Sequence, residues 1–164
     1  MAKNKNLNNK KNNNTINIII VIAIIFLIGS LIFMFAKSDK TESYIKEITY
    51  SEYLDVIKKD EYSIILLTSP TCSHCNNYKP FVNYTASEHN LKVYDIDLTT
   101  ITYEEYVELH DKYSATKDKY SGDNPIIPTP TTIIVKNGEE IASVLGDIGY
   151  NGLVKTLKNN QVIK

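Results

Sequence analysis

The chain has very few cysteines: Cys72 and Cys75 are its only two in 164 residues. Two thiols exclude the multi-disulfide framework that staples many small exported folds, so the pair can close only on itself or on a partner. A structural zinc ion usually needs four ligands, and the remaining ones would have to come from His74, His89 and His110. Neither His89 nor His110 has a partner at ligand spacing. We therefore expect no metal and no other cofactor.

Arginine is absent, and all basic charge comes from lysine. Together with abundant asparagine and isoleucine, this composition is typical of an AT-rich bacterial genome. Residues 37–164 carry 14 lysines against 19 acidic residues, a net charge of −5, which argues against a polyanionic ligand. The four lysines near the N-terminus are explained more simply as topology signals that contact anionic lipid than as an arm that binds nucleic acid. We therefore expect no nucleic-acid partner.

Charge is also missing from residues 18–36, an apolar run interrupted only by Gly29 and Ser30. As a helix this run would span roughly 28 Å, close to the hydrocarbon thickness of a bilayer. Lysines without acids precede it, and mixed charges follow it. The positive-inside rule then predicts a disordered cytoplasmic tail over 1–17, a single transmembrane anchor over 18–36 and an exported remainder.

A cleavable signal peptide is the alternative interpretation of this run. Signal peptides have a shorter apolar region, about 7–15 residues, and end in small residues at a cleavage site. Here the run ends in Met34-Phe35-Ala36-Lys37, which matches poorly. We expect an uncleaved anchor, followed by a linker over 37–48 and one domain over 49–164.

The two cysteines enclose Ser73 and His74 and directly follow an apolar, β-prone run over 62–68. A Cys-x-x-Cys pair at the start of a helix suits thiol–disulfide exchange, because backbone N–H groups and the helix dipole stabilise a thiolate there. We expect Cys72 to attack and Cys75 to resolve the mixed disulfide. His74 could stabilise the thiolate and make the pair more oxidising, or it could be an exposed helix residue without a redox role.

The other patterns predict a small mixed sheet with helices on both faces. A first helix begins with Ser51 as its cap, and a second runs from the cysteines to about His89 and contains Pro80, which should kink it. A strand over 91–98, an acidic helix over 102–113, a hairpin around Asn137-Gly138 and a last helix over 151–159 follow. The stretch 99–125 could be a lid or docking element, or an inert insertion.

Over residues 49–160 the chain resembles the thioredoxin superfamily. Pro80 follows Cys75 by five residues, where thioredoxins kink the active-site helix, and Gly146 falls where the family has a glycine after the last strand. The stretch 130–138, Pro-Thr-Thr-Ile-Ile-Val-Lys-Asn-Gly, looks like the family's cis-proline strand and hairpin. The resemblance implies a cis-proline at Pro130, with Pro128 as a competing position, and a backbone at Thr129 that binds an extended substrate by strand addition.

Three positions depart from the thioredoxin pattern. Leu66 and Val93 occupy the places of the buried aspartate and its lysine partner, and Thr71 replaces the tryptophan before the first cysteine. These departures argue against a general reductase. His74 precedes the second cysteine, as in the DsbA-type disulfide oxidases.

An exported, membrane-anchored thioredoxin domain of this size is similar to the bacteriocin transport accessory proteins of Gram-positive bacteria. The expected function is therefore extracytoplasmic thiol–disulfide exchange on cysteine-containing exported proteins, more as an oxidase or isomerase than as a reductase. An electron partner in the membrane or outside the cell would be needed. The alternative is a non-enzymatic docking subunit of an export system that uses the same fold.

Overall fold

The computed structural model describes residues 17–30, 43–59 and 61–164, and the chain divides into two compact units, Met1–Glu42 and Ser43–Lys164. In the first unit, the described residues 17–30 are helical (α1). Within the described ranges, no helix combines the length and the apolar character that crossing a membrane requires. Residues 1–16 of the expected tail and 31–36 of the expected anchor lie outside the described residues, so the anchor remains a prediction.

The second unit is built on a five-stranded mixed sheet in the order β1-β3-β2-β6-β7. The first three strands in that order are parallel, and β6 and β7 complete the sheet in antiparallel pairing. A separate two-stranded hairpin is formed by β4 and β5. The strand bounds are Ile45–Glu47 (β1), Ser63–Thr68 (β2), Val93–Asp97 (β3), Tyr120–Ser121 (β4), Asn124–Pro125 (β5), Thr131–Lys136 (β6) and Glu139–Leu145 (β7).

Four helices cover the two faces of this sheet, which confirms the expected architecture. Two apolar clusters fill the space between the layers, one under α2 and α4 and the other under α3 and α5. The central strand β2 is buried along its whole length, as its continuous apolar sequence predicts. The helix bounds are Tyr50–Val56 (α2), Ser73–His89 (α3), Tyr103–Lys112 (α4) and Gly149–Asn159 (α5).

The turn between β6 and β7 forms at Asn137-Gly138, as predicted. Both residues have a positive φ, 53° and 81°, the combination that a two-residue hairpin turn of this kind requires. The turn thereby fixes the pairing of β6 with β7, apart from a bulge between Ile134 and Val135.

Two expectations at the start of the domain are wrong. Ile45–Glu47 falls within the expected linker 37–48 but forms β1, which pairs with β3 in parallel; three residues at a sheet edge are too short to show a periodic pattern. The cap of α2 is Thr49 and not Ser51. Thr49 and Glu52 form a reciprocal capping box, which satisfies two N–H groups at the helix start.

The stretch 99–125 contributes α4 and the small hairpin to the folded domain. Leu109 of α4 is fully buried in the core. Nε2 of His110 donates to the carbonyl oxygen of Lys119 at 2.8 Å, and the backbone N–H of Ile127 donates to the hydroxyl of Tyr106 at 2.6 Å. Side chains of α4 therefore hold both ends of the segment that carries the hairpin.

Candidate active site

Cys72 and Cys75 form a disulfide at the N-terminus of α3, with their Cα atoms 5.3 Å apart. Cys72 is the N-cap of the helix rather than a residue of its first turn, and its Sγ accepts a hydrogen bond from the backbone N–H of Cys75 at 3.0 Å. The buried strand β2 ends at Thr68 and leads into the motif through three residues. A backbone N–H directed at Sγ is the arrangement that stabilises a thiolate once the disulfide is reduced.

The two sulfurs differ in exposure. Cys72 is half-buried, whereas Cys75 is 1% exposed. A partner thiol or disulfide can therefore approach Cys72, and Cys75 lies behind it, within disulfide-bonding distance. This asymmetry matches the roles that we expect for the attacking and the resolving cysteine.

His74 lies on the exposed side of the first turn of α3. Within the part of the chain that the structure describes, its side chain forms no hydrogen bond and no ion pair. In the disulfide form, therefore, no hydrogen bond or ion pair supports the expected effect of His74 on the cysteines, and that effect stays a prediction.

The peptide bond between Thr129 and Pro130 is cis, as expected, and it is the one cis bond among the described residues. Pro130 is buried and Thr129 is half-buried. The carbonyl of Pro130 accepts a hydrogen bond from the N–H of Gly146 at 2.7 Å, which ties this loop to the end of β7.

Sheet pairing brings the loop and the cysteine motif to the same edge of the sheet. Leu67, next to the end of β2, pairs with Thr131 at the beginning of β6. The segment leading to Cys72 and the loop containing Pro130 therefore leave neighbouring strands at the same edge. All the predicted site residues lie in the Cys72–Cys75 motif or in this loop.

The core beneath the motif is apolar where the thioredoxin pattern has its ion pair. Leu66 and Val93 are buried in the cluster under α3. Tyr78, also in that cluster, accepts a hydrogen bond from Thr132 at 3.3 Å, and burial raises the pKa of Tyr78 to about 12. Its phenol therefore stays neutral at physiological pH.

A buried carboxylate that no sequence pattern indicated as part of the site lies nearby. Asp95 is 3% exposed; its Oδ2 lies 2.5 Å from Nζ of Lys79, and its Oδ1 accepts a hydrogen bond from Thr68 at 2.7 Å. Lys79 stands one helical turn beyond Cys75 on α3. Two aspartates, Asp95 and Asp97, inside the β-prone stretch that forms β3 were the available signal, but the partner of Asp95 could not be read from the sequence.

Comparisons with known proteins identify the fold. No family model and no curated protein matches the sequence. Among solved structures, thioredoxin f2 of Chlamydomonas reinhardtii is similar with a TM-score of 0.59 and 13% identity, over 73% of this chain and 99% of that one.

Two further thioredoxins show the same likeness. Thioredoxin f from spinach chloroplast has a TM-score of 0.54 and 17% identity, over 71% of this chain and 93% of its own. The thioredoxin of Plasmodium falciparum has a TM-score of 0.54 and 19% identity, over 70% and 97%. The fold of this chain is thioredoxin-like.

Proposed function

We propose that the protein is a membrane-anchored thiol–disulfide oxidoreductase that acts outside the cytoplasmic membrane on cysteines of exported proteins. The observation that carries this proposal is the Cys72–Cys75 disulfide at the start of α3, with one sulfur accessible and the other buried. The apolar run 18–36 and its lysine-rich N-terminal flank support the anchor and the exported position of the domain.

In the oxidising direction, a substrate thiolate attacks Sγ of Cys72 and Cys75 leaves as a thiolate. A second substrate thiolate then attacks the substrate sulfur of this mixed disulfide and releases reduced Cys72. Two electrons pass from the substrate to the cysteine pair, and the substrate gains a disulfide. Returning the pair to its oxidised form requires a disulfide or quinone acceptor outside this chain.

Backbone groups at the cis-proline loop provide a docking edge for the substrate. Thr129 precedes the first residue of β6 by two positions. Within the described chain its backbone N–H and carbonyl form no hydrogen bond, so they can pair with an extended segment. Main-chain pairing gives affinity without demanding a particular sequence, which suits an enzyme with several exported substrates.

The preference for oxidase or isomerase activity over reductase activity has two supports. His74 can stabilise the Cys72 thiolate and so favour the reduced pair, which makes the disulfide more oxidising. Leu66 and Val93 place apolar side chains at the two positions of the charged pair in the thioredoxin pattern. The Asp95–Lys79 ion pair beside Leu66 uses other positions.

Substrate trapping tests the proposal. In the full-length Cys75→Ala variant, the Cys72 thiolate attacks a disulfide of an exported protein, and the displaced substrate sulfur leaves as a thiolate. Because Cys75 is no longer there to resolve the new bond, the mixed disulfide should accumulate, and reductant should release it. The matched control is Cys72→Ala, which leaves only the buried sulfur and should trap nothing.

The opposite outcome would favour a docking subunit without redox activity. In that case Cys75→Ala would recover no mixed disulfide under oxidising growth, and Cys72→Ser would leave substrate oxidation and secretion unchanged.

A further inference from the structure

A cavity of about 420 Å³ opens at the carboxyl ends of β2 and β3. The chain leaves β2 into α3 on one face of the sheet and leaves β3 into α4 on the other face. The two strands therefore flank a topological switch point, the position where open α/β sheets usually bind ligands. Pro70, two residues before Cys72, forms part of the cavity wall.

The lining of this cavity carries four carboxylates and one ammonium group. Asp95 is neutralised by Lys79, and Glu52 forms an ion pair with Lys46 at 3.1 Å. The remaining two carboxylates belong to Glu47, at the end of β1, and Asp97, at the end of β3. Neither forms an ion pair within the described part of the chain.

The charge of the cavity therefore favours a cation. The carboxylates of Glu47 and Asp97, which have no ion-pair partner among the described residues, concentrate negative potential in a recess. A metal ion is not the fitting cation, because the described residues contain no group of three or more side chains placed to hold one. An ammonium or guanidinium group needs only one or two carboxylates.

We propose that this cavity is a subsite for a lysine or arginine side chain of the protein substrate. This inference rests on the proposed exchange reaction, and it specifies that the protein prefers substrate segments with a basic residue near the cysteine. Pro70 lies at most about 7 Å along the backbone from Cys72. The cavity wall therefore comes close to the attacking cysteine, and in this proposal a basic residue within a few positions of the substrate cysteine occupies the cavity while the cysteine sulfur is bonded to Cys72.

The test compares peptides that differ only in charge. Each peptide has one cysteine, is supplied as its disulfide-linked homodimer, and carries lysine, methionine or glutamate two positions before and after the cysteine. The reduced Cys75→Ala protein attacks the dimer, forms one mixed disulfide on Cys72 and releases one peptide thiolate. At low ionic strength the lysine peptide should react about fivefold faster than the methionine peptide, and added salt should remove the difference.

The double substitution Glu47→Gln and Asp97→Asn, made in the Cys75→Ala protein, should abolish this preference and leave the rate with the methionine peptide unchanged. The amide introduced by Asp97→Asn would keep an oxygen that can accept the hydrogen bonds from Thr99. The matched control is Glu139→Gln with Asp118→Asn, which removes two exposed carboxylates outside the cavity and should keep the preference.

Equal rates for the three peptides, or a lysine preference that survives the Glu47 and Asp97 substitutions, would overturn this inference and leave the proposed function standing. Failure of every peptide to form a mixed disulfide would overturn both.

Discussion

The ammonium nitrogen of Lys79 lies 2.5 Å from a carboxylate oxygen of Asp95. Lys79 belongs to the helix that carries the cysteines, and Asp95 is nearly completely buried in β3. The pair therefore links α3 to the sheet by an ion pair, within an interface that is otherwise almost entirely apolar.

Breaking this pair should destabilise the fold asymmetrically. Lys79→Met leaves the Asp95 carboxylate buried with only Thr68 as a partner, and should lower the free energy of unfolding by about 1–3 kcal/mol. Asp95→Leu should cost less, because Lys79 is about one third exposed and can turn toward water. Urea unfolding of both single variants and the double variant measures the coupling. Strictly additive losses in the double variant would contradict an ion pair that matters to stability.

The two thiols of the reduced protein should differ in reactivity toward iodoacetamide. Cys72 is half-buried at a helix N-terminus, whereas Cys75 is 1% exposed. In single-thiol variants at neutral pH, Cys72 should be alkylated at least roughly tenfold faster than Cys75. Mass spectrometry over a time course measures both rates. Equal rates, or a faster Cys75, would refute the assignment of Cys72 as the attacking sulfur.

Replacing His74 should change the reduction potential of the pair. If the imidazole gives the thiolate a charge-assisted hydrogen bond in the reduced state, His74→Ala should lower the potential by about 30 mV or more. His89→Ala is the matched control, since His89 lies at the opposite end of the same helix. Equilibration with a glutathione redox buffer measures the potential. An unchanged reduction potential in His74→Ala would show that His74 is an exposed surface residue without a redox role.

The buried phenols of Tyr53 and Tyr113 should make the fold sensitive to alkali. Their oxygens are 2.5 Å apart, and burial raises the pKa of Tyr113 to about 12 and that of Tyr53 as well. An unfolded tyrosine ionises near pH 10, so above that value ionisation favours the unfolded chain. The contribution of the pair to stability is complete below about pH 10 and is lost as the pH rises through the folded pKa.

Urea midpoints measured on both sides of about pH 10 test this expectation. The double variant Tyr53→Phe and Tyr113→Phe should lose less stability above pH 10 than the unaltered protein. Tyr103→Phe is the control. Because Tyr103 is 64% exposed, this substitution should not change how steeply stability falls with pH. If stability falls equally steeply with pH in the double variant and in the unaltered protein, burial of these two phenols does not cause the loss of stability in alkali.

Those parts of the fold that local chemistry specifies could be predicted from the sequence. The buried strand β2 follows from its unbroken apolar run, and the hairpin follows from Asn137-Gly138, which tolerate a positive φ. The Thr49 cap was also readable, because a threonine followed three residues later by a glutamate is a capping-box pattern. Its neighbour Ser51 offered a competing cap of the same chemistry.

The remaining features depend on how distant segments meet. The pairing of Asp95 with Lys79 requires the register of β3 against α3, which no local pattern contains. Strand β1 is recognisable only through its pairing with β3. The cavity next to Pro70 likewise exists only after strands and helices from four parts of the chain have packed.

The order of the strands in the sheet also determines when, during synthesis, Cys72 and the loop at Thr129 can come together. Strand β2 lies beside β6, yet α3, β3, α4 and the small hairpin separate the two along the polypeptide. During synthesis from the N-terminus, Cys72 is made well before the loop at Thr129. The sulfur that we propose as the attacking atom is therefore made before the loop that we propose for substrate docking, and the two come together only when β6 pairs with β2.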